Sequence, residues 1–279
     1  MTRIRSWCFS HPLVVFIAIT YIGSWVMWSP MWLSENGLGV LSFKLTFGEI
    51  ALWNQAGLFA GPFLAGFLVR FWLQGRQGVR ELWRQTFHWK AYPLSYLTAL
   101  IGVPVAIICA YIFTSGIDVL AGPFIVFVPL YVLFFIGGPL QEEPGWRGVA
   151  LPLMQQRWHP LTAAFFLGIV HCFWHTPLFF VEDWDSDGLG ISHLASYFVL
   201  VVALSVVLCW LANREQGNIL TAIIAHNGVN WGLMTVGEPA NLWPAALALV
   251  LLALLVAVFR GPRLDAQEPL NHKVQPIEK

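Results

Sequence analysis

Apolar stretches of about 20 residues or more recur along the whole chain, each bounded by short polar or basic segments, and this pattern predicts membrane-crossing helices. Eight such spans are expected, at about His11 to Trp32, Glu49 to Leu73, Ala91 to Ser115, Leu120 to Leu140, Leu161 to Val181, Ser192 to Ala212, Asn218 to Val236 and Asn241 to Phe259. Trp25, Trp28 and Trp32 fall where interfacial tryptophans anchor a span. Between the second and third spans the pattern changes. The segment of about 75–90 is basic, with Val79, Leu82, Trp83 and Phe87 near helical spacing, and it predicts an amphipathic helix lying on an anionic surface. The expected fold class is therefore all-α, a polytopic membrane helix bundle of about eight transmembrane helices.

Composition strengthens the class. Hydrophobic residues make up 57% of the chain and charged residues only 11%, a balance that a soluble globule does not carry. Net charge is zero, so nothing in it points to nucleic acid. The four cysteines, Cys8, Cys109, Cys172 and Cys209, lie scattered in apolar stretches without CxxC spacing and read as packing residues. The amino-terminal apolar stretch is too long and too rich in tryptophan for a cleaved signal peptide. With both termini cytoplasmic, Arg3 and Arg5, Arg70 to Lys90, Arg147, Arg157, Arg214 and Arg260 onward all fall inside, and of 15 Lys and Arg only Lys44 falls outside. An acidic outer loop, Glu182 to Asp187, follows from the same count.

Against this background the polar run Gln141-Glu142-Glu143-Pro144-Gly145-Trp146-Arg147-Gly148 stands out, because ionisable groups at the edge of a span are rare and usually functional. Pro144 disfavours the α region for Glu143 and suits the first turn of a new helix, so the acidic pair is expected at a helix break or start. Glu143 and Arg147 are four apart and share a helical face, whereas Glu142 is turned about 100° away and is left free for acid–base work. An isolated acidic pair at a span end is ordinarily a solvated charge cluster. Two further polar pairs change that balance: His171 and His175 in the fifth span, and His226 and Asn230 in the seventh, each four residues apart. Three polar sites on three spans are satisfied most cheaply around one water-filled cavity, here on the cytoplasmic side.

The runs Glu142-Glu143-Pro144-Gly145-Trp146-Arg147, Phe173-Trp174-His175 and His226-Asn227-Gly228-Val229-Asn230 resemble, in order, the EExxxR, aromatic-xxxH and HxxxN motifs of the CAAX-protease and bacteriocin-processing (Abi) family of type II CAAX prenyl endopeptidase-like intramembrane proteases. The resemblance implies hydrolysis of peptide bonds in membrane-associated protein or peptide substrates. It implies Glu142 as the group that activates water, His175 as its helper, Glu143 and Arg147 as the supporting pair, and His226 and Asn230 as oxyanion donors. The domain reading that follows has N-terminal helices over 1–120, a catalytic helix core over 121–236, a last span over 237–259 and a disordered cytoplasmic tail over 260–279. The family's second motif carries Phe or Trp four residues before its histidine, and here that position is His171. A metal-free glutamic mechanism is the favoured reading. His171 keeps open a Zn²⁺ alternative with Glu142, His171, His175 and His226 as ligands, although no HExxH is present. Rivals from other classes are a non-catalytic immunity or scaffold protein, a transporter and a b-haem protein. The sequence sets no oligomeric state.

Overall fold

The computed structural model describes residues 10–120, 128–182, 190–237 and 241–267. The carboxy-terminal part of the expected tail, Arg3 and Arg5, and most of the expected acidic outer loop lie outside the described residues. Among the described residues every regular element is helical. In chain order these are α1 (Pro12–Met27), α2 (Ser29–Leu33), α3 (Phe47–Leu58), α4 (Leu64–Phe87), α5 (Pro93–Leu97), α6 (Val103–Ser115), α7 (Val128–Ile136), α8 (Pro139–Gly145), α9 (Leu151–Gln155), α10 (Pro160–Trp174), α11 (Ile191–Arg214), α12 (Leu220–Thr235) and α13 (Trp243–Arg260). The chain is an all-α, multi-pass membrane bundle.

Five helices among the described residues are long and apolar enough to cross a bilayer: Phe47–Phe87, Pro93–Ser115, Pro160–Phe180, Ile191–Arg214 and Trp243–Arg260. The other three expected spans fall short for separate reasons. Helix α1 has 16 residues before the chain turns into α2, and at about 1.5 Å per residue it falls below the roughly 30 Å of a hydrocarbon core. Helix α12 carries His226, Asn227 and Asn230, and most of it is buried among other helices. The expected fourth span has only its later part described, and it breaks at Gly137–Gly138 into α7 and α8.

Two local features place the acidic pair. Helix α8 begins at Pro139, with Pro at the first helical position as helix starts favour. The expectation that Pro144 would open the helix is therefore corrected: Pro144 lies inside it. A wide π-helical turn, Trp146–Ala150, follows directly. A second π-helical turn, Phe59–Phe63, joins α3 to α4 and is kinked at Gly61. The two irregular turns pack against each other through Gly145, where an added Cβ would overlap the Pro62 carbonyl oxygen. Small residues that let backbones meet are the usual basis of helix contact in membranes.

The basic amphipathic segment continues from α4 to Phe87. It is set off by Gly75 at φ 62°, ψ −151°, a conformation cheap only for glycine. Phe59, Phe63, Phe67, Trp83 and Phe87 form an unbroken ladder of rings with centroids 4.7–6.1 Å apart along this helix pair.

Candidate active site

Helix α8 and the turn after it carry Glu142, Glu143 and Arg147 into the centre of the bundle. All three are buried, with Glu143 0% and Arg147 1% exposed. Burying a carboxylate and a guanidinium together is tolerable only when each finds its partner. Arg147 Nη1 lies 2.9 Å from Glu143 Oε2, as the four-residue spacing predicted. On its other side Arg147 Nη2 donates to Ser205 Oγ of α11 at 3.2 Å, and the Ser205 hydroxyl donates in turn to the Ala164 carbonyl at 2.8 Å. The second oxygen of Glu143 faces α12, where His226 Nδ1 stands 2.7 Å from Oε1. One glutamate thus ties together α8, α11 and α12.

Glu142 turns to the other side. Sequence spacing left it without a partner, but His171 Nε2 of α10 lies 2.9 Å from its Oε2. The expectation of a free carboxylate is corrected, since the two side chains share a hydrogen bond that restrains the carboxylate's orientation. His175, at the carboxy-terminal cap of α10, completes the cluster: one ligand-capable atom from each of Glu142, His171 and His175 falls within 4.8 Å of the others. His175 Nδ1 is 3.2 Å from the His171 carbonyl oxygen, and the two imidazoles stack at 5.2 Å. His226, named with them as a prospective metal ligand, stands outside this group on the Glu143 side, its ring 5.9 Å from that of His171.

The walls are aromatic. Trp146 lies 5.0 Å from the His171 ring, Trp174 lies 4.5 Å from His175, and the two indoles meet edge to face at 5.7 Å. Phe16 and Trp28 back them. Trp146 and Trp174 are fully buried and pack the histidines.

Asn230 lies one turn beyond His226 on α12, with its Nδ2 3.7 Å from where a Gly138 Cβ would stand. It therefore flanks the break that opens α8. That break is also clamped by two residues the motif reading passed over: Gln55 Nε2 donates to the Gly137 carbonyl and Gln141 Nε2 donates to Gln55 Oε1, each at 2.7 Å. Ser205 was missed likewise. The available signal was a lone polar residue inside an apolar helix.

Comparison with known proteins converges on this region. Residues 123–232 match the family model described as type II CAAX prenyl endopeptidase Rce1-like. A CAAX prenyl protease 2 of Methanococcus maripaludis is 29% identical over 107 residues, which is 37% of this chain and 39% of that protein. The chain therefore spans well under half the length of the curated relative it matches. Over this segment the family resemblance drawn from the three motifs is borne out, and every residue discussed from Glu142 to Asn230 lies within it.

Proposed function

We propose that the protein is an intramembrane endopeptidase in which Glu142 activates a water molecule for attack on a peptide carbonyl. The observation that carries this reading is the division of labour between adjacent buried glutamates: Glu143 is consumed by Arg147 and His226, while Glu142, among the described residues, meets imidazole. A hydrolase acting without a covalent intermediate needs a base beside the water and donors where negative charge develops.

His171 holds Oε2 of Glu142, so Oε1 is the oxygen left to take the water's proton. His175 donates its Nδ1–H to its own helix and turns Nε2 to the same water. As the carbonyl carbon becomes tetrahedral, charge gathers on its oxygen, and His226 with Asn230 supply the donors. In the imidazolium form His226 gives Nδ1–H to Glu143 and keeps Nε2–H for the oxyanion. Glu142 then passes its proton to the departing amine. Arg147 stays charged throughout and keeps Glu143 an anion, which fixes the tilt of the His226 ring.

The substrates are protein or peptide tails at the membrane. The name of the Methanococcus relative makes prenylated CAAX tails the first to assay. The site opens toward the cytoplasm in this reading, with both termini cytoplasmic, as the distribution of Lys and Arg supports. The test is cleavage of a lipidated C-terminal peptide by detergent-purified wild type, Glu142→Ala and His175→Ala. Both variants should lose cleavage while remaining folded. Full activity in either would refute the assignment.

A further inference from the structure

The Glu142 cluster carries a second capacity, and His171 creates it. Two imidazole nitrogens and one carboxylate oxygen lie within 4.8 Å of one another. This is a donor set that, with one open position, suits Zn²⁺, and Co²⁺ and Ni²⁺ accept the same donors. Ligands on one such ion at about 2.0–2.2 Å stand roughly 3–3.5 Å from each other. The Glu142–His171 pair at 2.9 Å needs only a small opening, and His175 closes in from a separation of no more than 4.8 Å.

The tautomer of His175 is prepared as well. A metal-binding histidine almost always donates its other ring N–H to a carbonyl or carboxylate, which fixes the lone pair toward the ion. His175 Nδ1 sits on the His171 carbonyl, which leaves Nε2 with the lone pair, while His171 points Nε2 at Glu142 and releases the proton shared between them when the ion enters. Trp146 and Trp174 hold both rings in place. With His226 neutral the charged groups nearby do not oppose a cation, because Arg147 is compensated at 2.9 Å by Glu143 and a neutral imidazole on the same carboxylate adds no charge. Glu142 is the remaining anion.

We propose that Glu142, His171 and His175 bind one divalent cation of the Zn²⁺ class per chain. At the position of His171 the motif pattern otherwise places Phe or Trp, and with either only two ligands would remain. The proposal rests on the geometry of these three side chains and does not depend on the protein being a protease. It does bear on that activity: an ion on the Glu142 carboxylate occupies the group that must accept the water's proton, so metal loading and Glu142-assisted hydrolysis exclude each other.

The experiment uses the full chain in detergent, stripped with chelator, desalted and titrated with Zn²⁺, the metal retained per chain being measured after gel filtration. Co²⁺ in parallel gives a visible spectrum that reports nitrogen and oxygen ligation. Wild type should retain about one equivalent, the stoichiometry of a three-ligand site. Cys109→Ser, altered at an exposed thiol, should match it. His171→Phe, which preserves the aromatic stack, and Glu142→Gln should each weaken retention by more than about tenfold. No retention by wild type, or equal retention by His171→Phe, would overturn the proposal. Cleavage by the stripped wild type is scored separately. Its absence beside one retained Zn²⁺ would sink the hydrolytic reading and leave the metal site standing.

Discussion

Glu142 and Glu143 are neighbours in the chain, equally buried, and held in opposite ways. The Glu143 half of the site is a paired framework: carboxylate, guanidinium, imidazole and hydroxyl from three helices bind one another, with the Arg147 Nε left without a hydrogen-bond partner among them. The Glu142 half holds a carboxylate and two imidazoles between indole walls, with no cation among them. A buried charge that is fully paired is a structural element whose removal strands its partner. One partnered only by neutral rings keeps the freedom to exchange a proton or accept an ion. The contrast shows how one dipeptide can supply both the scaffold and the reactive group, since the helical turn sends consecutive side chains about 100° apart.

Substitutions can break this contrast. The largest expected effect is on turnover: Glu142→Gln should lower cleavage by at least about 10²-fold, the scale of a lost general base, with the melting transition in detergent unchanged. Glu143→Ala should act on the other quantity. It leaves Arg147 charged and unpaired in the interior, at about 3–5 kcal/mol, and a depressed melting temperature together with lost activity is expected; an unshifted melt would show that the pair carries no framework role. Gly145→Ala forces a Cβ onto the Pro62 carbonyl oxygen, a backbone atom with little room to yield. A loss of about 1–3 kcal/mol is expected, with reduced cleavage because α8 must shift, and both are read from one melt and one assay. Ser205→Ala is the mildest, removing one acceptor from Arg147, for about 1–2 kcal/mol; cleavage by this variant should stay near wild type if Ser205 belongs to the framework half alone.

Much of this arrangement is legible from residue spacing. Apolar runs of span length located the long helices, and the four-residue step from Glu143 to Arg147 anticipated their ion pair, because both depend on local periodicity alone. The partner of Glu142 did not follow from spacing. His171 lies 29 positions away on another helix, and only packing decides which of two stacked histidines reaches the carboxylate. Helix α8 starts at Pro139 for a related reason: the propensity of Pro144 to open a helix yields to the π-helical turn that follows it and to the contact of Gly145 with the kink at Pro62. Ser205 carries no pattern at all, since a single polar side chain in an apolar stretch declares that it has a partner without saying which, and Gln55, beside Asn54, and Gln141, beside the acidic pair, are linked by no spacing.

The most direct test is cleavage of one lipidated peptide by chelator-stripped wild type and by Glu142→Gln, measured side by side. Stripped wild type is predicted to cleave and Glu142→Gln to be inert, with added Zn²⁺ suppressing the wild-type reaction. Cleavage that vanishes on stripping and returns with Zn²⁺, or that survives in Glu142→Gln, would contradict the assignment of Glu142 as the base.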